Sequence, residues 1–229
     1  MRELILDIET TGLDLAQNRI IEIGMIEQIH HQRTGREYQW YLNPETMIED
    51  KALEVHGLSN EFLQDKPKFK EIADDFLEAL QDSKLVIHNA EFDIPFINKE
   101  LKLCGKRLID FDRVVDTLHL ARQVLPSRAQ HNLEALGNYY KLDLSIRSLH
   151  GALIDAQILS EIYNKLNQEG GKDLFADVDS GVTRKKDRKF LERPIPVRFG
   201  ISEEELEIHT EYVSKFFGAD ALWQSNANK

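Results

Sequence analysis

The first forty or so residues alternate short apolar runs with polar breaks at the spacing of strands. "ELILDIET", "IIEIGMIEQIH" and "REYQWYLNP" each read as a strand, and "QRTG" predicts the hairpin turn between the second and third. Three strands in succession predict an antiparallel meander. The period then lengthens. "KFKEIADDFLEAL" places Phe69, Ile72, Phe76, Leu77 and Leu80 along one helical face, and "KLVIHN" is a short apolar strand behind it. "AEFDIPFINKELKL" is helical in pattern, with Pro95 acceptable only near a helix start. "VVDTLHLARQV" gives a strand end running into a helix, "HNLEALGNYY" another helix, and "GALIDAQILSEIYNKL" a long final one. Strands followed by alternating helices and strands predict an α/β unit, a mixed sheet covered by helices.

After Leu166 the periodicity stops. "NQEGGKDLFADVDSGVTRKKDRKF" is rich in Gly, Asp and Lys and reads as a flexible linker, its basic run from Arg184 to Lys189 being solvated. Beyond it "LERPIPVRFGI" is extended in pattern and "SEEELEIHTEYVSKFF" helical, with Ser202 and Glu205 at the spacing of a capping box. Leu206, Val213, Phe216 and Phe217 gather along one side that so short a tail cannot bury alone, so the tail is expected to dock on a partner. The expected organisation is a domain over residues 1–167, a linker over 168–190 and a partner-binding tail over 191–229.

Composition narrows the chemistry. The 229 residues are 41% hydrophobic, enough for a substantial core, and the formal net charge of -11 opposes any broad basic face that coats nucleic acid. It leaves room for a cleft that grips a strand end, where divalent cations neutralise both carboxylates and phosphates. A single cysteine, Cys104, fits a reducing compartment, and no run of about 18 apolar residues suggests a membrane span, so a cytoplasmic location is expected.

Asp7 and Glu9 stand where a buried strand should still be apolar. Residues two apart on a strand share a face, so the two carboxylates project together, and their repulsion and desolvation point to a cation between them. Hard oxygen ligands suit Mg²⁺ or Mn²⁺. Such a pair alone is common on solvated strand faces; the polar turn "TTG" directly after it adds backbone donors beside the acids. In "VIHNAEFDIPFI", Asn89 is a candidate helix cap, Asp93 falls in the first turns of the helix and Phe92 offers an aromatic face. A helix-dipole role for Asp93 and a core role for Phe92 stay open. In "HGALIDAQIL", His150 and Asp155 would diverge by about 140° on one continuous helix, so a break at Gly151 is needed for both to reach one site. Four acids and one histidine are the complement for two-metal phosphodiester hydrolysis. In that chemistry two cations hold the scissile phosphate and an imidazole takes a proton from the attacking water.

"LDIETTG", "VIHNAEFD" and "HGALIDA" resemble, in order, the three exonuclease motifs of the DEDDh family of 3′–5′ exonucleases, and within it the proofreading epsilon subunits of bacterial DNA polymerase III. The likeness continues through "IIEIG", "VHGL", "DKPKF" and "VVDTL" and covers nearly all of residues 1–166. It implies an RNase H-like fold with a mixed five-stranded sheet. It further implies that Asp7, Glu9, Asp93 and Asp155 hold two divalent cations, Mg²⁺ or Mn²⁺, and that His150 is the base. Asp7, Glu9, Thr10, Leu13, His56, Phe92 and Asp155 would then meet the terminal nucleotide. For His56 a bracing role in its loop is the other reading, and for Thr10 and Leu13 a role in shaping the turn.

The substrate implied is a single-stranded or frayed DNA 3′ end. "PVRFGISEEELEIHTEYV" and Trp223 resemble the polymerase-binding segment of epsilon subunits, which implies a polymerase partner held through residues 191–229. "GGKDLF" keeps the Leu174 and Phe175 of a sliding-clamp motif without its Gln, so both a clamp contact and a plain linker stand as readings. Two rival functions are an RNA-trimming exonuclease of the same family and a non-catalytic subunit that stabilises a polymerase. The second is disfavoured by the complete set of four acids and His150.

Overall fold

The structure, a computed structural model, describes residues 1–145, 147 and 150–176, the last six by backbone alone. The expected tail, most of the expected linker, and the side chains of Leu174 and Phe175 lie outside the described residues.

Five strands form one mixed sheet in the order β3-β2-β1-β4-β5: β1 Arg2–Thr10, β2 Ile20–Ile29, β3 Gln32–Tyr41, β4 Lys84–Ile87 and β5 Val114–Asp116. β1, β2 and β3 make the antiparallel meander, while β4 and β5 run parallel to β1. The helices are α1 Asp50–His56, α2 Asn60–Leu63, α3 Phe69–Leu80, α4 Ala90–Leu103, α5 Thr117–Val124, α6 Leu133–Tyr139 and α7 Ala152–Ala176.

The apolar run of β1 is continuous because both faces of the central strand are covered. Leu4, Leu6 and Ile8 face a core built with Phe69 and Phe76 of α3 and Ile94 and Ile97 of α4. Ile5 faces the other way, onto Ala156, Leu159 and Tyr163 of α7. Asp7 and Glu9 follow Ile5 on the α7 side, so the two acids emerge where that face stops being core.

Three expectations are corrected. The β2–β3 turn is His30–His31, both at positive φ (52° and 61°), and "QRTG" lies inside β3. Two left-handed residues match the twist of a tight hairpin, and Gly35 at φ 85° takes up the irregularity further along the strand. Asn89 sits at the N-cap position of α4 in the left-handed region and makes no side-chain cap bond. The Asp116 carboxylate accepts from the backbone N–H of both Asn89 and Ala90, each at 3.1 Å, in its place. Finally, α7 continues to Ala176, into the stretch expected to be linker. Its polar residues there are compatible with helix, and the Tyr140 hydroxyl donates to Glu169 at 3.0 Å, tying that turn to the end of α6.

Candidate active site

α7 reaches the sheet at Gly24. This residue lies directly across the ladder from Asp7, and a Cβ on it would fall within the backbone of Ala152 and Leu153. With only hydrogen at that position the first turn of α7 rests on β2, and Asp155 is carried against the end of β1. A polar break precedes the helix, as the sequence demanded. His150 lies in the coil before Ala152, its backbone N–H donating to the Val55 carbonyl at 3.1 Å, and Asp155 N–H returns to the Gly151 carbonyl at 2.8 Å. The helix thus begins after His150, and ligand atoms of Glu9, His150 and Asp155 lie within 4.8 Å of one another.

Asp93 arrives from the neighbouring parallel strand. α4 starts at the C-terminal end of β4, and Asp116 at the end of β5 fixes that start while also accepting from Leu118 N–H at 2.8 Å at the start of α5. One carboxylate therefore caps two helices, a role the sequence reading did not assign. Asp93 is buried in the first turn of α4.

The electrostatics are those of crowded anions. Burial pushes Asp7 well above the usual carboxylate range, and Asp93, Glu9, Asp155 and Glu22 all push it further. Glu9 is raised to about 8 by burial, then by Asp155 and Glu22, against the pull of Arg147. Asp93 is raised to about 8, again chiefly by burial, although backbone groups of Asp93 itself and Ile8 oppose the shift. Asp155 goes the other way: burial would raise it, but the neighbouring His150 and the hydrogen-bonded Arg147 hold it below the ordinary value. Glu22, buried opposite Glu9 on β2 and accepting from Gln39 at 2.8 Å, is a further acid that the sequence reading passed over.

A cavity of about 690 Å³ opens over this cluster. Asp7, Glu9, Asp93, Asp155, His150 and Phe92 all line it. Phe92 is half-buried against Phe96, ring centroids 5.0 Å apart, so part of its surface remains available to a ligand. The cavity is also lined by His88, Asn89, Arg122, His131, Asn132 and Leu133, none of which the sequence marked as part of a site. His88 is anchored through Nδ1 to the Thr117 hydroxyl at 2.8 Å, and burial lowers its pKa.

Thr10, Leu13 and His56 are not among the cavity-lining residues. Thr10 is buried and donates to the Gly12 carbonyl at 2.8 Å, while Leu13 is 80% exposed. His56 is buried at the end of α1, where its Nδ1 accepts from Leu58 N–H at 3.0 Å, and it lies close enough to His150 to interact electrostatically.

Arg147 is a second residue at the acids that the sequence reading missed. Its Nε and Nη2 donate to the two oxygens of Asp155 at 2.6 and 2.7 Å, and Nη2 lies 2.8 Å from His150 Nδ1. The signal was present in "IRSLHGALIDA", but an arginine beside acids is ordinarily a surface ion pair.

The donor set fits hard divalent cations. Oxygens of Glu9 and Asp155 lie within 4.8 Å of each other and of a His150 nitrogen, and the carboxylates of Asp7 and Asp93 line the same cavity. Three of these groups are disfavoured as anions in the absence of positive charge.

The family model described as "Exonuclease" matches residues 4–163. The DNA polymerase III subunit epsilon of Rickettsia felis is 45% identical over 224 residues, covering 93% of this chain and 96% of that protein. Among solved structures, exonuclease X in complex with 5′ overhanging duplex DNA is similar with a TM-score of 0.57 and 24% identity, over 74% of this chain and 93% of its own. The nuclease domain of 3′hExo, a DEDDh family member bound to rAMP, is similar with a TM-score of 0.63 and 15% identity, over 74% of this chain and 92% of its own. The two structures support the mixed-sheet exonuclease fold, and the relative's match runs beyond residue 163 into the C-terminal region. The chain belongs to the exonuclease family and, within it, to the DNA polymerase III epsilon subunits.

Proposed function

We propose that this 3′–5′ exonuclease proofreads for a replicative DNA polymerase, releasing nucleoside monophosphates one at a time from single-stranded or frayed DNA 3′ ends. The observation that carries the reading is the convergence of Asp7, Glu9, Asp93, Asp155 and His150 in one cavity beside Phe92. Two divalent cations, Mg²⁺ or Mn²⁺, would be held by Asp7, Glu9 and Asp155 with help from Asp93. When bound they neutralise the phosphate and make water a stronger nucleophile. His150, on the coil before α7 and about half exposed, would accept the proton of the attacking water, and the half-buried Phe92 ring would meet the terminal base. In this reading a single strand enters the cleft, and selection of mispaired termini comes from duplex melting.

The polymerase partner is assigned to residues 191–229, and a weaker clamp contact to Leu174 and Phe175. The match to the Rickettsia felis relative, which extends past the exonuclease domain, supports a shared tail. Among the described residues no helix is long and apolar enough to cross a membrane.

The test is a 3′-end degradation assay on matched DNA and RNA oligonucleotides with Mg²⁺ and with Mn²⁺, comparing wild type with Asp7→Ala and His150→Ala. Stepwise DNA shortening lost in both variants and in EDTA is expected, with RNA cut more slowly. DNA cleavage that survives Asp7→Ala refutes the metal assignment, and faster cleavage of RNA than of DNA makes the enzyme an RNA trimmer.

A further inference from the structure

Arg147 occupies both oxygens of Asp155 and at the same time approaches His150 Nδ1. An arginine only donates hydrogen bonds, so at 2.8 Å the imidazole Nδ1 is the acceptor, and the ring proton of neutral His150 lies on Nε2. In this arrangement the one basic nitrogen of His150 is already covered. Asp155 is likewise committed: its side chain is 5% exposed and that of Arg147 10%, so the fork is formed away from bulk water. A guanidinium bound to both oxygens and a divalent cation on the same carboxylate would place like charges within a few ångströms in a buried site. The two are competitors.

We propose that Arg147 is a positioning residue that stands in for a divalent cation: it clamps Asp155 and covers His150 Nδ1 while the site is metal-free, and cation binding displaces it. Metal loading then frees an acid and a base in one event. The base is available only when the cations are in place, and the anionic cluster is never left without positive charge. The inference rests on the metal reading of the site.

The experiment uses the full chain without nucleic acid. Melting of wild type, Arg147→Gln and Arg147→Lys is followed in EDTA and in saturating Mn²⁺, and Mn²⁺ affinity is measured by titration. In EDTA, Arg147→Gln is expected to melt roughly 5 °C or more below wild type because Asp155 loses its partner. In saturating Mn²⁺ that deficit should close, with Mn²⁺ bound about tenfold more tightly than by wild type, the size of an ordinary coupling between two sites. Arg147→Lys, which restores the charge, should return the affinity toward wild type, and it carries the titration if the Gln variant does not fold. A deficit of equal size with and without Mn²⁺ would make Arg147 a structural ion pair and overturn the exchange. Weaker Mn²⁺ binding by Arg147→Gln, or equal affinity of the Lys and Gln variants, would overturn it as well. A wild type whose melting ignores Mn²⁺ would instead bring down the metal reading itself.

Discussion

Gly24 and Asp7 face each other across the β1–β2 ladder, and the space above Gly24 is filled by the backbone of α7. The position of Asp155 relative to Asp7 therefore depends on a missing side chain. Gly24→Ala puts a methyl group into the backbone of Ala152 and Leu153, which cannot swing aside as a side-chain tip would. The expected cost is about 2 kcal/mol or more, a fall in Tm of roughly 4–8 °C for a domain of this size. A lifted α7 also separates Asp155 from the acids of β1, so exonuclease activity should fall far more than the folded fraction does. Thermal melting with an activity measurement at a temperature where the variant is folded checks this; full activity in the folded variant would mean that α7 reaches the site another way.

The legibility of the site from sequence followed the range of the interactions. Asp7, Glu9 and Asp93 were readable because each breaks a local pattern: acids in an apolar strand, and an acid in the first turn of a helix behind a strand. His150 and Asp155 were readable because the α-helical period forbids them a common face unless the helix begins between them, and it does. Asp116 and Glu22 were not, since what matters in each is a partner on another element, at Asn89 and Ala90 for one and across the ladder from Glu9 for the other. α1 and α2 were passed over because helices of seven and four residues carry too few apolar positions to show a period. The His30–His31 turn was misplaced onto "QRTG" because glycine is the usual signal for a tight turn, and here the left-handed residues are histidines.

The raised carboxylates predict an opposite response to pH with and without cations. Glu9 and Asp93 move from 4.5 and 3.8 to about 8 on folding without metal, so the folded state holds protons that the unfolded state has released. Stability from this source is fully present below the unfolded values and is lost as pH rises toward 8. Asp155, whose value is lowered, contributes its change below this window. In EDTA, Tm should fall between pH 6 and 8.5; in Mg²⁺ it should hold or rise, because cation binding requires the ionised acids. Glu9→Gln should flatten the EDTA slope. Parallel slopes in EDTA and Mg²⁺ would contradict cation binding at these groups.

Away from the chemistry, Arg19 and Glu100 form a two-pronged ion pair at 2.6 and 2.7 Å, with Glu100 almost fully buried in α4. Arg19 also accepts Thr11 N–H on its carbonyl at 2.9 Å, so the pair ties the turn after Glu9 to the helix that carries Asp93. Arg19→Ala strands a buried carboxylate and should cost about 3 kcal/mol, whereas the double variant Arg19→Met with Glu100→Leu should recover much of that loss. Urea unfolding of both measures it. A double variant no more stable than Arg19→Ala would show that the pair is needed for packing and not merely for charge.

Phe92 lines the cavity with one side of its ring turned to Phe96. If its other side stacks on the terminal base, Phe92→Ala should reduce kcat/KM on single-stranded DNA roughly 5- to 150-fold, the equivalent of about 1–3 kcal/mol of stacking. Stacking is indifferent to base identity, and under the proposed selection by melting the choice between paired and mispaired ends comes before the strand enters. The variant should therefore slow the removal of matched and mismatched 3′ ends by the same factor and leave their ratio unchanged. Measuring kcat/KM on single-stranded, mispaired and fully paired ends for both proteins decides the matter. A ratio that shifts in the variant would mean that the cavity itself reads mispairing, and that the aromatic wall selects the substrate as well as holding it.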